Sequence, residues 1–283
     1  MASMLSDDEL DRYARHIVLK EIGGAGQMRL KAAKVLLIGA GGIGAPASLY
    51  LAAAGVGTLG LIDDDTVSLS NLQRQVIFRT DDIDTPKVEA AAAHLKALNP
   101  HVVVTTHPLR LTESNAADLI APYDIVLDGS DTFHTRHLVN KTCMALNKPL
   151  VSAALGRFNG QVSVFTGKPC YQCLVPDIPP DAETCERMGV VGAIAGIIGT
   201  MGALEVIKLI TGAGEPLTGK LLIFEGLTMQ SRTVSLPAEP DCPVCGLENL
   251  FDLRYWKSHQ FHPFNIYRPE LSSPPSGFRL CDA

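Results

Sequence analysis

The residues best equipped for chemistry crowd into one stretch, Val35 to Lys87. Gly39, Gly41, Gly42 and Gly44 form a glycine turn directly after the apolar run Val35-Leu36-Leu37-Ile38. Such a turn lets the backbone approach a ligand closely, and a helix opening near Gly42 would offer unpaired N–H groups to an anion, so a nucleotide phosphate fits it. A second apolar run, Thr58 to Ile62, ends in Asp63-Asp64-Asp65, and Asp63 falls 19 residues past Gly44, where a ribose-binding carboxylate belongs. This much also suits NAD or FAD. The next segment, Ser68-Leu69-Ser70-Asn71-Leu72-Gln73-Arg74-Gln75, is densely polar, and Lys87 follows a turn at Thr85-Pro86. A dinucleotide with two bridged phosphates needs little positive charge, whereas ATP carries about four negative charges and needs several cations with a metal. Arg74 and Lys87 match that need.

Three other positions could carry chemistry. Asp131 follows the apolar run Tyr123 to Asp128, so it stands either as the N-cap of a helix over 132–146 or as a metal-holding carboxylate at a strand end. Cys170-Tyr-Gln-Cys173 and Cys242-Pro-Val-Cys245 supply four thiols, the set that a tetrahedral structural zinc requires, although the pairs are far apart in sequence and the fold must bring them together. A redox-active CxxC and two unrelated buried pairs are the alternatives. Cys185 lies in a charged, proline-started segment that reads as a loop, where a lone cysteine is either a small apolar residue or a reactive thiol.

The segment SLSNLQRQ, preceded by GAGGIG and DDDTV and followed by TPK, resembles the adenylating enzymes of the MoeB/ThiF/HesA family, relatives of the ubiquitin-activating enzymes, and the likeness runs from about Leu5 to Gly246. The resemblance implies ATP on the turn of Gly39, Gly41, Gly42 and Gly44, with Asp63 on the ribose. It places Ser70, Asn71, Leu72, Gln73, Arg74 and Lys87 around the triphosphate, and Asp131 beside Thr132 on Mg²⁺. Arg15, in a RYxRxI pattern, would reach the ATP site of a neighbouring subunit, which makes the expected protein a homodimer. The cysteine pairs coincide with the family's structural zinc, and Cys185 with a residue that some members use for sulfur transfer. The implied activity is adenylation of the C-terminal glycine carboxylate of a small ubiquitin-like sulfur-carrier protein, with sulfur from a separate donor. An NAD-dependent oxidoreductase and a nonenzymatic zinc-stabilised scaffold that binds the carrier are the competing readings.

Elements must position these groups. Ser6-Asp7-Asp8-Glu9 reads as a capping box, with Leu10, Tyr13, Ala14 and Ile17 on one face of the helix that follows. Strands over 35–38, 58–62, 102–104, 123–128 and 149–153 alternate with helices over 42–54, 86–98, 113–120 and 132–146, the order of a doubly wound sheet whose ligands gather beyond the carboxyl ends of its strands. Segments 161–166, 220–225 and 229–236 read as antiparallel additions, and 190–210 as an apolar helix with Gly192, Gly196, Gly199 and Gly202 spaced for a close helix contact or a dimer contact. The expected fold is therefore a Rossmann-like, mostly parallel α/β sheet extended by antiparallel strands, with a structural zinc site of four cysteines. Domains are expected over 1–30 (helical, dimer-forming), 31–246 (adenylating) and 247–283 (a tail without an assigned role).

The net charge of −6 argues against a nucleic-acid partner, since a binder of polyanions normally carries a basic surplus. The longest uncharged stretch, from Met188 to Leu204, is short for a membrane span and suits a buried helix. No leader pattern is visible from Met1 to Lys20, and four of the seven cysteines sit in CxxC pairs, so the expected compartment is the reducing cytoplasm.

Overall fold

In the computed structural model, which describes residues 4–178 and 189–246, the first apolar run becomes β1 (Lys34–Ile38). Its alternate residues enter different cores: Val35 and Leu37 join one cluster, Leu36 and Ile38 the other. A strand buried on both faces needs helices on both. One face is covered by α3 (Gly23–Ala32), α4 (Gly44–Ala53), α5 (Lys87–Leu98) and α9 (Gly192–Thr211). The other is covered by α6 (Ala116–Ile120), α7 (Phe133–Ala145) and α8 (Tyr171–Leu174).

The remaining strands are β2 (Thr58–Ile62), β3 (Val103–His107), β4 (Ile125–Asp128), β5 (Leu150–Leu155), β6 (Asn159–Phe165), β7 (Lys220–Glu225) and β8 (Gln230–Ser235). They form one eight-stranded sheet in the order β3-β2-β1-β4-β5-β6-β7-β8. Pairings up to β5 are parallel, and those from β5 to β8 antiparallel, as the sequence pattern implies. The chain winds outward from β1 to β3, then returns to lay β4 on the other side of β1. That reversal opens a crevice between the carboxyl ends of β1 and β4, the place where such sheets bind ligands.

Two expectations need correction here. The amino-terminal helix does not run unbroken from Asp7 to Ile17: α1 (Asp7–Arg12) keeps its Ser6–Glu9 capping box, but the chain leaves helical geometry at Tyr13 before α2 (Ala14–Ile17). Tyr13 is buried whereas Leu10 is 45% exposed. The tyrosine ring fills the space over Gly55, where a Cβ would lie 2.4 Å from it, and this tertiary contact outweighs the local helical repeat. Similarly, the helix expected over 113–120 starts only at Ala116, because Asn115 bonds the Thr112 amide and holds the preceding residues in a turn.

Helix α9 has 20 residues and is long and apolar enough to cross a membrane by length and composition alone. In this fold it lies along the sheet with Ile194, Ala195, Ile198, Ala203 and Val206 buried. Two of its glycines serve close contact with other elements. A Cβ on Gly199 would meet the Ile43 carbonyl and Pro46 at 2.6 Å, and one on Gly192 the Gln73 carbonyl at 2.2 Å. Gly196 has open space instead. The described residues all belong to the compact unit Met1–Leu250; the remaining unit, Phe251–Ala283, lies outside them.

Candidate active site

The glycine turn joins β1 to α4 at the sheet's switch point. Gly39 adopts φ +90°, a conformation costly for any residue with a Cβ, and its N–H donates to the Ile62 carbonyl at 2.8 Å. Gly44 must also be glycine, because a Cβ there would lie 1.9 Å from the Gly39 carbonyl oxygen. That tight closure makes α4 begin at Gly44 rather than near Gly42 as expected from sequence. The residues between form the floor of the crevice, with Gly41 and Gly42 half-buried.

Asp63 leaves the end of β2 and turns back onto this floor. One carboxylate oxygen accepts from the Ala40 N–H at 2.8 Å and the other from the Asp65 N–H at 2.9 Å. The expected ribose carboxylate therefore also fixes the glycine turn. Burial pushes its pKa up from the ordinary value, and the Lys87 charge pulls it down. Lys87 reaches this place because residues 65–67 pair with 84–87: Val67 N–H donates to the Thr85 carbonyl, and Lys87 N–H to that of Asp65. Its ammonium lies 2.7 Å from Asp65 and 4.0 Å from Asp63, with only 6% of the side chain exposed. Asp63, Asp64 and Asp65 have carboxylate oxygens within 4.8 Å of one another, so Lys87 offsets a concentrated negative charge.

The polar segment folds as a 3₁₀ turn over Leu69–Asn71. Asn71 accepts from the Ser68 N–H at 3.1 Å, and the Ser68 and Ser70 hydroxyls lie 3.0 Å apart. Arg74 donates to the Ser70 carbonyl at 2.9 Å, and its stem passes 3.9 Å from where a Gly42 Cβ would be. Leu72 packs on the core while Gln73 is exposed, with its carbonyl against Gly192. The fold thus brings Gly39, Gly41, Gly42, Gly44, Asp63, Arg74 and Lys87 around one opening.

Asp131 lies just beyond the end of β4 and is exposed. The helix-cap alternative is resolved against it: Thr132 is the N-cap of α7, its hydroxyl accepting from the Thr135 N–H at 3.2 Å. The Asp131 carboxylate is left available to a ligand.

Sequence reasoning passes over three neighbours. Asp128 is buried, with one oxygen accepting from Ser130 N–H at 2.9 Å and the other lacking a partner among the described residues. Gln75, equally buried, has a carbonyl oxygen in the same condition and lies under Gly41. Arg136 is buried as well, donating to the Ser130 and Ala153 carbonyls and to the Ser152 hydroxyl, so it ties the β4 loop to β5. A polar residue closing the motif at Gln75 is the only local signal; Arg136 reads as an ordinary helix charge until β5 is placed.

One expected residue lies apart from the crevice. Arg15, on α2, is exposed at the end of the sheet opposite the crevice, near the carboxyl ends of α4 and α5. Cys185 lies outside the described residues.

The four CxxC thiols do converge. Their sulfurs lie within 4.8 Å of one another, with Cys170–Cys242 at 3.6 Å and Cys173–Cys245 at 3.3 Å. A zinc–sulfur bond of about 2.3 Å gives tetrahedral sulfur separations of about 3.8 Å, so the donor set and spacing fit such an ion. Asn140 of α7 donates to the Cys170 sulfur at 3.5 Å, and the Glu239 N–H to that of Cys173 at 3.5 Å. Donors of this kind stabilise thiolates and fix ligand orientation. Burial pushes the Cys170 and Cys245 thiols up, whereas for Cys242 burial is outweighed by backbone N–H donors from Cys245 and Val244, which pull it down.

The sheet order and the glycine-turn crevice define a Rossmann-like nucleotide-binding protein with an added cysteine cluster. Comparison with known proteins narrows this: the ThiF family model matches residues 13–244, and the chain belongs to that family. It is 45% identical over 250 residues to the sulfur carrier protein adenylyltransferase of Thermus thermophilus, covering 85% of this chain and 92% of that one. It is 46% identical over 248 residues to the sulfur carrier protein ThiS adenylyltransferase of Escherichia coli, covering 87% and 98%. Among solved structures, Escherichia coli MccB with MccA-N7isoASN superposes with a TM-score of 0.75 at 25% identity, covering 86% of this chain and 75% of that one.

Proposed function

We propose that this protein is an ATP-dependent adenylyltransferase acting on the C-terminal glycine carboxylate of a small ubiquitin-like sulfur-carrier protein. The observation that carries the reading is the convergence of the glycine turn, Asp63, Lys87 and Arg74 on one opening, in a chain that shares its family and nearly half of its aligned residues with sulfur carrier adenylyltransferases. The carrier carboxylate attacks the α-phosphorus, the bond to the bridging oxygen breaks, and pyrophosphate leaves with its electron pair. The acyl-adenylate that forms awaits sulfur from a separate donor. No proton has to be abstracted from a carboxylate already ionised at neutral pH. Placement and charge neutralisation therefore do the work.

Gly41 and Gly42 let the phosphates approach the backbone, while Asp63 receives a ribose hydroxyl. Arg74 and Lys87, with Ser70, Asn71, Leu72 and Gln73 shaping the wall, neutralise the triphosphate. Asp131, beside Thr132, would hold Mg²⁺, which supplies further neutralisation of the leaving pyrophosphate. Arg15 lies at the far end of its own sheet from the crevice, so its use in catalysis requires a second copy, and we assign the working form as a homodimer. Cys170, Cys173, Cys242 and Cys245 would hold Zn²⁺ as a brace. A reducing cytoplasmic setting suits these unpaired thiols.

The test is pyrophosphate release from ATP with candidate carriers, followed by intact-mass detection of an AMP adduct. Adduct formation on a carrier with a free terminal glycine is the expected result. Tight ATP binding without an adduct on any sulfur carrier would overturn the proposal.

A further inference from the structure

The end of the sheet opposite the crevice contains a buried link between the protein's own phosphate site and the segment bearing Arg15. Helix α5 begins with Lys87 in the crevice and is C-capped by Asn99, about 18 Å away at the usual helical rise for its 12 residues. Asn99 is fully buried. Its amide donates to the Tyr13 hydroxyl at 2.8 Å and to the Ala52 carbonyl at 2.7 Å, and its oxygen accepts from the His101 N–H at 3.2 Å. Tyr13 lies two residues before Arg15 and is the point where α1 breaks and α2 begins. On the other side of Arg15, His16 bonds the buried Gln27 at 3.2 Å, and Gln27 donates to the Ala54 carbonyl at 2.8 Å. Arg15 itself is exposed. An exposed arginine between two buried anchors is held at its base and free at its tip.

We infer that Asn99 is a positioning residue for Arg15, setting the geometry of the site in the neighbouring copy rather than its own. The inference rests on the reading that Arg15 completes that neighbouring site. An arginine acting on a transition state loses most of its effect when its base drifts, because a misplacement of about 1 Å can cost roughly a hundredfold. Removing the Asn99 amide releases Tyr13 and lets the start of α2 move.

The test uses the full-length dimer. Asn99→Ala is expected to lower kcat for pyrophosphate release roughly ten- to a hundredfold, with the KM for ATP little changed because Asp63, Arg74 and Lys87 remain. Wild-type turnover in this homodimer would overturn the inference. Mixed dimers, made by co-expressing differently tagged chains, separate effects in cis from effects in trans. Arg15→Ala paired with Lys87→Ala regains one working site if Arg15 acts across the dimer. An inactive pair removes that reading and overturns the inference with it.

Asn99→Ala paired with Lys87→Ala should recover to the same level as the arginine pair, since its intact Lys87 meets an Arg15 from a chain whose Asn99 is present. Recovery of the arginine pair without recovery of the asparagine pair would show Asn99 acting through α5 within its own chain, and would overturn the proposal while leaving the trans arginine standing. If Asn99→Ala does not fold, Tyr13→Phe, which keeps the ring over Gly55 and removes only the hydroxyl, takes its place in the same pairings with the same outcomes.

Discussion

Replacing Lys87 with methionine keeps most of the stem and removes the charge that faces Asp63 and Asp65. The structure divides the cost unequally. Asp65 has 64% of its side chain exposed and rehydrates, so its share is about 0–1 kcal/mol. Asp63 is 10% exposed and loses its nearest cation at 4.0 Å. It keeps two backbone N–H donors, which holds its cost below the roughly 3–5 kcal/mol of a fully broken buried pair. About 1–3 kcal/mol of stability should be lost, or roughly 3–10 °C in Tm for a domain of this size. The catalytic cost should be separate and larger, about 3–4 kcal/mol or a hundred- to a thousandfold, because in the proposed reaction the ammonium opposes charge moving onto pyrophosphate. Asp63→Asn alone should also destabilise, since both carboxylate oxygens accept backbone N–H groups and one would face an amide NH₂ instead. In the double variant the charge left behind by Lys87→Met is gone, so the two stability losses should fall short of their sum by about 0.5–3 kcal/mol. Activity should stay low. Urea or thermal unfolding gives the first number and pyrophosphate release the second. Strictly additive stabilities would show that Lys87 does not offset the Asp63 charge. Restored turnover in the double variant would show that Lys87 has no part in the chemistry.

Glycines within α9 should diverge: Gly196→Ala, with open space around it, gains about 0.5–1 kcal/mol, whereas Gly199→Ala must displace the Ile43 carbonyl at 2.6 Å and loses about 1–3 kcal/mol, both read from denaturant curves. Gly199→Ala should also weaken ATP binding, because Ile43 adjoins the glycine turn. For the proposed zinc brace, removing the metal, or making Cys170→Ser, should cost on the order of several kcal/mol, measured as a fall in Tm that follows metal content by plasma emission; a metal-free preparation with unchanged Tm would refute the brace. Because burial raises the Asp63 pKa in the folded chain, its contribution to stability is fullest below the unfolded carboxylate value and is lost as pH rises through the folded one. Nucleotide binding runs the other way, failing as pH falls and Asp63 takes up a proton, and Lys87→Met should move that acid limit to higher pH in ATP titrations.

How much is legible in the sequence depends on how local the cause is. The strand at Val35 to Ile38, the glycine turn and the Asp63 position are neighbour effects, written within one short stretch, and each is readable from spacing. The convergence of the cysteine pairs is readable despite their separation because four thiols in two CxxC pairs suit a single tetrahedral metal site. Residues whose role depends on a distant partner are not. Tyr13 looks like one more apolar position on a helix, yet its hydroxyl bonds Asn99, far along the chain, and its ring needs the bare Cα of Gly55. Arg136 looks solvated until β5 supplies its carbonyl. Asp131 stands balanced between cap and ligand because an aspartate between a strand and a helix suits either role; the hydrogen bond from the Thr135 N–H to the Thr132 hydroxyl decides against the cap.

These long-range polar contacts share a feature that explains why they matter: each fixes a segment next to a candidate site residue. In the proposed reaction, catalysis by placement needs its nucleotide- and metal-holding groups fixed more rigidly than loops usually are, and here each candidate is tied to a regular element. Lys87 opens α5, Asp63 directly follows β2 and bonds the turn, Asp131 precedes a capped α7, and Arg15 is flanked by Tyr13 and His16. Most of these ties use a buried or half-buried polar group with a protein partner, so breaking one leaves an unsatisfied donor or acceptor rather than a solvated one. The same contacts that cost the chain conformational freedom therefore set how accurately it can meet a transition state, and substitutions at Asn99 or Arg136 should alter turnover without touching the nucleotide.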